Sequence, residues 1–278
     1  MFINDINEFI KFIPTAYGYN PDADFTDFDV IRPFLEESEI WLKNELLGND
    51  LFSFAETSLE TEIKDAISRV IACNAYYSCI PFVDLIQTPN GFAVVQNTNL
   101  APASKERVER LLNWTKMRNS QAIDSLIYLI FSESDYNTLW RTSDNYNRYT
   151  ECLIITAASL QKYGRKDAQR EILDDLHPLL MSYQSKIAKM ISPDYMTDLI
   201  EKRRNKALTA EDTAVIQSLL VILGLMIKKE EVYPMLEDIV NTMVADLDKY
   251  PAYKNSETYK LKISEDFRNK KDSSIFVW

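Results

Sequence analysis

Residues 209–227, TAEDTAVIQSLLVILGLMI, predict a buried α-helix and set the fold class of this 278-residue chain. Thr209 and Asp212 have the spacing of a capping box, in which each side chain accepts a hydrogen bond from the other residue's backbone N–H. The apolar run Leu219–Ile227, interrupted only by Gly224, has nine residues. A bilayer takes roughly 20 residues to cross. We therefore expect a core helix in a mainly α-helical protein, and no contact with a membrane.

Apolar residues recur every three or four positions along most of the remaining chain, which is the period of an amphipathic helix. Ser104 is placed to cap a long helix, and Ser192 and Pro193 form an N-cap and first-turn pair for another. Thr57 and Glu60 have capping-box spacing. The expected multi-helix bundle has helices at about 27–47 (ended by Gly48), 60–79, 104–130, 138–163, 166–191, 193–205 and 232–250, besides the quoted one.

One short β-hairpin is expected at about 82–96. Its two halves, 82–88 and 92–96, are rich in β-branched and aromatic residues. Between them stands Pro89-Asn90-Gly91, and an Asn-Gly pair between two such segments is a strong signal for a tight hairpin turn. A polar loop, Asn97–Ala103, separates the hairpin from the helix capped by Ser104.

The domain prediction is a single helical domain over residues 1–250, followed by an extended tail over residues 251–278. The one plausible seam within the domain is at 81–103, where the helical pattern is interrupted. The tail carries six Lys and Arg against four Asp and Glu, on a chain whose net charge is −11. A basic segment on an acidic body can bind a neighbouring copy, or it can simply be solvated.

The last four residues are Ile275, Phe276, Val277 and Trp278, and they follow a polar stretch, Arg268–Ser274. Chain ends are normally polar and frayed, so four large apolar side chains there need a place of burial. Two interpretations stay open at this point. The segment folds back on its own domain, or it inserts into a partner, for example as an added strand.

The sequence offers little for binding nucleic acid. An acidic chain has no electrostatic reason to hold a phosphate backbone tightly. The best candidate is the basic run 202–206, KRRNK, which has no aromatic residue interleaved to stack on bases. The run also lies in the last turn of an expected helix, where cations offset the helix dipole. We favour that second interpretation.

No arrangement in the sequence indicates catalysis. His177 is the only histidine, and it precedes Pro178, which predicts a kink or break in its helix. Five scattered glycines cannot form a phosphate cradle. The cysteines, Cys73, Cys79 and Cys152, are expected to be buried thiols rather than disulfides. We therefore expect no catalytic residue, no cofactor and no metal.

One acidic cluster keeps a metal-dependent enzyme open as an alternative. Asp22, Asp24, Asp27 and Asp29 could hold a hard cation through carboxylate oxygens. The spacing does not match a known calcium loop. Acids also favour the N-terminus of a helix, where the dipole attracts them, and we prefer this explanation.

Three stretches together resemble a family encoded in phages and prophages of Bacteroidales bacteria, among the virion structural genes. They are residues 91–111, GFAVVQNTNLAPASKERVERL, residues 191–195, ISPDY, and residues 267–278, FRNKKDSSIFVW. The similarity spans most of the chain in order. This sequence ends in Trp where the family is expected to end in Phe.

The resemblance implies a structural protein of a tailed phage particle, a head–tail connector or adaptor that forms a ring at the portal–tail junction. Implied partners are further copies of the chain, the portal protein and other neck or tail proteins, with passing DNA contacted only weakly. Implied locations are the virion and, during assembly, the host cytoplasm. The alternatives are an assembly chaperone, a packaged cargo protein or the carboxylate and metal enzyme. The expected partner-binding residues are Ile275, Phe276, Val277, Trp278, Asn97, Asn99, Leu100 and Pro102.

Overall fold

The computed structural model describes residues 1–13, 27–83, 85–88, 91–94 and 104–264. These residues are mainly α-helical, as predicted, and the chain divides into two compact units, Met1–Asn147 and Arg148–Trp278. The boundary falls within helix α7, Asn145–Thr150. The predicted seam at 81–103 lies inside the first unit. That residues 1–250 form one domain stays a prediction.

The first unit is built around helix α4, which packs against α1, α2, α3 and α5. Ile67, Val70 and Ile71 of α4 are fully buried, at the helical spacing that the sequence indicated. The elements are α1 (Ile6–Phe12), α2 (Asp27–Leu42), a π-helical segment (Lys43–Leu47), α3 (Asn49–Thr57), α4 (Thr61–Val83), β1 (Leu85–Thr88), β2 (Gly91–Val94), α5 (Lys105–Ser132) and α6 (Ser134–Trp140).

The region after α4 departs from the expected boundaries. Helix α4 does not end near Cys79 but continues to Val83, so the strand expected to start at Phe82 is wrong over its first two residues. Pro81 loses one backbone hydrogen bond, but its fixed φ is close to the helical value, and the helix passes through it. Beyond α4, β1 and β2 pair antiparallel, with Leu85 opposite Val94.

The capping box predicted at Thr57 and Glu60 is wrong. Thr57 is the last residue of α3, and its hydroxyl donates to the carbonyls of Ser53 and Phe54 at 3.0 and 3.3 Å. The backbone N–H of Glu60 donates instead to the Ser58 hydroxyl at 3.0 Å. Thr57 therefore ends α3 with a hydrogen bond from its side chain back to the last turn of that helix, instead of capping the start of α4. Ser and Thr side chains readily bond their own backbone in this way.

In the second unit, α11 packs against α8, α9 and α12. Gly224 lets the backbone of α11 lie against the end of α8, because a Cβ at this position would lie 2.0 Å from the backbone oxygen of Tyr163. The elements after α7 are α8 (Ala157–Tyr163), α9 (Arg170–Ile191), α10 (Pro193–Arg204), α11 (Ala210–Ile227), α12 (Tyr233–Ala245), a 3₁₀ turn (Leu247–Lys249), α13 (Pro251–Lys254) and α14 (Glu257–Ile263).

Helix α11 matches the quoted sequence closely. The predicted capping box is present, since Thr209 and Asp212 each bond the other's backbone N–H. By length and composition alone this 18-residue helix, with a mean hydropathy of 1.7, could cross a membrane. Buried helices of globular cores pass the same test, and Leu219, Ile222 and Leu223 are fully buried here. That the chain has no contact with a membrane stays a prediction.

The continuous helix predicted at 138–163 is wrong, because the chain forms α6, α7 and α8 there. Between α6 and α7, the backbone N–H of Asn145 donates to the Ser143 hydroxyl, and the Thr142 hydroxyl oxygen lies 2.8 Å from the Leu139 carbonyl oxygen. Such local side-chain bonds compete with the helix ladder. Between α7 and α8, the backbone N–H of Leu153 donates to Gln184 on α9 at 2.8 Å.

The extended tail predicted from residue 251 is wrong over its first part, because Pro251–Lys254 and Glu257–Ile263 are helical. Pro251 stands in the first turn of α13, where it forfeits no helical bond. The Ser256 hydroxyl caps α14 by accepting from the Tyr259 N–H. Residues 265–278 lie outside the described residues.

Candidate functional site

All eight residues predicted to bind partners lie outside the described part of the chain. They fall in two segments, 95–103 and 265–278. The structure instead describes the residues that flank these two segments in sequence. The first segment joins β2 to Ser104 before α5, and the second follows Ser264 at the end of α14. The residues concerned are Asn97, Asn99, Leu100, Pro102, Ile275, Phe276, Val277 and Trp278.

The basic run 202–206 supplies internal contacts. Its three leading cations occupy the last turn of α10, as the favoured interpretation predicted. Arg203 Nη1 donates to the carbonyl oxygens of Cys152 and Leu153 at 3.3 and 3.0 Å, and burial lowers the pKa of its guanidinium. Arg204 Nε donates to the Thr150 hydroxyl at 3.0 Å. These side chains hold the segment between α7 and α8, so they are poorly placed to contact a nucleic acid.

A buried polar cluster surrounds Asp212, which is 1% exposed. Its carboxylate accepts from Tyr195 Oη at 3.1 Å, from Lys202 Nζ at 3.0 Å and from the backbone N–H of Thr209 at 3.3 Å. Burial alone would raise the pKa of Asp212, but the bonds from Lys202 and Thr209 outweigh it and the pKa is lowered. Burial and the neighbouring Asp212 charge raise the pKa of Tyr195. Sequence patterns revealed the capping role of Asp212 but not its bond to Tyr195.

The structure describes only part of the residues considered for catalysis. His177 is half-buried on α9, and Nε2 has no hydrogen-bond partner within the described residues. Helix α9 is continuous through His177 and Pro178, so it does not break there, and the alternative of a kink stays a prediction. In the acidic cluster, Asp22 and Asp24 lie outside the described residues, and Asp29 is exposed in the first turn of α2. Across the described ranges, no group of three or more His, Cys, Asp or Glu could hold a metal ion.

The three cysteines are free and buried, as predicted. Cys73 and Cys79 lie on α4 in the first unit, and Cys152 precedes α8 in the second. Burial raises the pKa of the Cys73 and Cys152 thiols to about 11, and it raises that of Cys79 as well. These thiols are therefore protonated at neutral pH and poor nucleophiles.

A polar cleft of about 430 Å³ opens in the first unit where the π-helical segment meets the turn after α6. The Leu46 carbonyl of the π-helical segment accepts from the indole N–H of Trp140 at 2.7 Å. Thr142 Oγ1 donates to Asp50 at 2.7 Å, and Asn145 Nδ2 donates to the Asn44 carbonyl at 2.6 Å. These groups bond one another across the cleft, which makes it a polar joint of the fold. No sequence signal predicted the π-helical segment.

A groove with one mainly apolar and one more polar cleft runs between α9, α12 and α14 in the second unit, and we call it the α9–α12–α14 groove. It consists of two adjoining clefts of about 290 and 160 Å³ that share Met190, Val240 and Lys262. The larger cleft is also lined by Ile191, Tyr253, Thr258 and Leu261, and the smaller by Tyr233, Leu236, Glu237 and Asn241.

Comparison with known proteins gives one match. Residues 22–150 match the model of a family described as "Family of unknown function (DUF6712)". The match covers less than half of the chain and most of the first unit, and it ends in α7 beside the boundary between the units. No curated protein and no solved structure matches the chain.

Proposed function

We propose that this chain is a structural protein of a tailed phage particle, a head–tail connector that forms a ring at the portal–tail junction. The observation that carries the proposal is the run of four apolar residues at 275–278 behind a basic stretch, on a chain with a net charge of −11. Apolar side chains gain free energy by leaving water, and another subunit provides a place for them. The resemblance to phage structural proteins agrees with this role.

The charged groups described above support the proposal indirectly. Lys202, Arg203 and Arg204 of the basic run make contacts within the second unit, as does the Asp212 carboxylate, so they hold the fold. We therefore expect partner subunits to contact the surface of the chain and the segments 95–103 and 265–278. When each copy carries both an inserting segment and a receiving surface, head-to-tail association closes into a ring if the rotation between copies allows it.

Deleting residues 268–278 tests the proposal. We expect the variant to keep the helical circular dichroism and the thermal transition of the full chain, while losing self-association in sedimentation velocity and incorporation into particles. The milder pair Phe276→Ser and Trp278→Ser should weaken association in the same way. Unchanged assembly, or collapse of the fold itself, would contradict the anchoring role.

Two further measurements separate the alternatives. Imaging of intact particles should show a ring at the neck. Absence from purified particles would support an assembly chaperone, and a position inside the head would support packaged cargo. Calorimetric titration of the full chain with Mg²⁺, Mn²⁺ and Ca²⁺ tests the carboxylate and metal enzyme, for which stoichiometric uptake is the required result.

A further inference from the structure

The α9–α12–α14 groove is a place where the second unit leaves large apolar side chains facing water. Met190 on α9 is 46% exposed, Leu261 on α14 is 51% exposed and Tyr233 on α12 is 60% exposed. Ile263, the last residue of α14 and two positions after Leu261, is 49% exposed. Apolar surface contributed by three helices to one concavity is typical of a site that receives a peptide segment.

The dimensions of the groove suit a short apolar segment. Its two adjoining clefts, of about 290 and 160 Å³, provide two neighbouring depressions rather than one. Side chains of one face recur about 7 Å apart along an extended strand. A segment such as Ile275–Trp278 can therefore place two large side chains in successive depressions.

One acidic side chain in the groove complements the basic residues that precede this segment. Glu237 lines the smaller cleft, and Lys262 lines both clefts. Arg268, Lys270 and Lys271 precede the apolar residues. A chain extended over the four to seven residues between them spans roughly 13–25 Å. This matches the length of α12, which at about 1.5 Å per residue is roughly 20 Å.

The chain position of the groove also matters. Helix α14 contributes Leu261 and Lys262 to the groove, and residues 265–274 separate its end from Ile275. Ten residues reach at most roughly 33–36 Å when extended. That distance is about the diameter of a small domain. The segment is therefore long enough to reach the same groove on an adjacent copy.

We propose that the α9–α12–α14 groove binds residues Ile275–Trp278 of a neighbouring copy of this chain. The inference rests on the proposed function, because it names the surface that receives the anchoring segment. Each copy then gives its segment to one neighbour and receives one from the other. The interface is heterologous and can close into a ring.

Disulfide trapping between full-length copies tests the pairing directly. One copy carries Leu261→Cys, and a second copy, distinguished by an affinity tag, carries Phe276→Cys. The native thiols Cys73, Cys79 and Cys152 are buried and give a low background. The matched control replaces Leu261→Cys by Val221→Cys, because Val221 is 38% exposed on α11 and does not line the groove.

We expect the Leu261 and Phe276 pair to form an inter-copy disulfide about tenfold faster than the control pair. Equal rates for the two pairs would overturn the inference. A copy that carries both Leu261→Cys and Phe276→Cys adds the second test. If it forms a disulfide only within itself, the groove binds the segment of its own chain and the inference fails.

Charge substitution separates failure of the inference from failure of the proposed function. Met190→Glu and Leu261→Glu should each weaken self-association about tenfold, an effect typical of a central interface residue. Val221→Glu should leave association unchanged. If deletion of residues 268–278 abolishes assembly while both groove variants assemble normally, the segment binds elsewhere and only the inference fails. If the deletion leaves assembly intact, the proposed function fails with it.

Discussion

The two units satisfy buried backbone carbonyls with different chemistry. In the first unit, the Leu46 carbonyl of the π-helical segment accepts from the neutral indole of Trp140 at 2.7 Å. In the second unit, the carbonyls of Cys152 and Leu153 accept from the cationic guanidinium of Arg203 at 3.3 and 3.0 Å. Both donors are held inside the protein, and both connect segments that are far apart in sequence.

The difference lies in the cost of burying the donor. An indole has one N–H and a large apolar body, so it is buried with little electrostatic penalty. A buried guanidinium loses much of its hydration, which is why burial lowers the pKa of Arg203. The Arg203 guanidinium therefore depends on keeping its carbonyl acceptors, whereas the Trp140 indole depends on shape and on a neutral bond.

The largest effect is expected from Asp212→Ala, which removes the anion of the second unit. Tyr195 loses its acceptor, Lys202 loses one of its two carboxylate partners and the capping box is broken. Breaking a buried ion pair costs roughly 3–5 kcal/mol, and we expect the free energy of unfolding of the second unit to fall toward that range. Urea denaturation followed by circular dichroism at pH 7 measures it. A change below about 1 kcal/mol would contradict the central role of this carboxylate.

The effect of Asp212→Ala on the free energy of unfolding should depend on pH. Because the pKa of Asp212 is lowered in the folded chain, its contribution is present above the unfolded value of about 3.9 and is lost as pH falls through the lower folded value. The difference in unfolding free energy between the full chain and Asp212→Ala should therefore be constant near neutral pH and shrink below about pH 4. A difference that grows in acid would contradict the lowered pKa.

Arg203→Met should lower the unfolding free energy of the second unit by about 2–4 kcal/mol, because two buried carbonyls lose their donor. Tryptophan fluorescence provides the internal control. Trp41, Trp114 and Trp140 lie in the first unit, and the only other tryptophan is Trp278. In a variant with Trp278→Phe, fluorescence follows the first unit, and its transition should move less than the circular dichroism transition. Arg203→Lys should not restore stability, because a single ammonium cannot reproduce the planar fork.

Trp140→Phe should lower the unfolding free energy of the first unit by about 1–3 kcal/mol, because the Leu46 carbonyl is left buried without its donor. Fluorescence of the remaining tryptophans measures the shift. Trp114→Phe is the matched control, since Trp114 is 36% exposed, and it should change stability by no more than about 0.5 kcal/mol. Equal effects of the two variants would contradict the importance of the indole bond.

The smallest effect, about 1–2 kcal/mol, is expected from Gly48→Ala. Gly48 ends the π-helical segment with φ of 76°, and a Cβ there would lie 2.6 Å from the Ser143 Cβ. The double variant with Ser143→Gly relieves the contact and leaves only the backbone strain. It should recover part of the loss, and a complete recovery would show that the positive φ costs nothing.

Local signals predicted the fold well where both partners of an interaction are close in sequence. Thr209 with Asp212, Ser192 with Pro193, and Gly48 are confirmed as helix boundaries. The helix predicted at 138–163 failed because its interruptions depend on distant residues, such as Gln184 bonding the Leu153 N–H. The helices at 251–263 were missed because they are short and carry little periodicity.

The candidate site was harder to predict than the fold. The α9–α12–α14 groove exists because Met190, Val240 and Leu261, on three separate helices, come together. Periodicity can assign each residue to a helix, but it cannot tell which helices pack side by side. The segment proposed to fill the groove has the opposite character. Its composition is evident from sequence, and the groove that receives it is evident only from packing.

The buried cysteines give each unit its own probe of local opening. A protonated, enclosed thiol reacts with a disulfide reagent only when its surroundings open, so the labelling rate reports how often that opening occurs. The labelling rates of Cys73 and Cys79 report opening of the first unit. The labelling rate of Cys152, which lies beside the carbonyls held by Arg203, reports opening of the second unit. Mass spectrometry of partly labelled chains would thus rank the lifetimes of the two units in one sample, without any substitution.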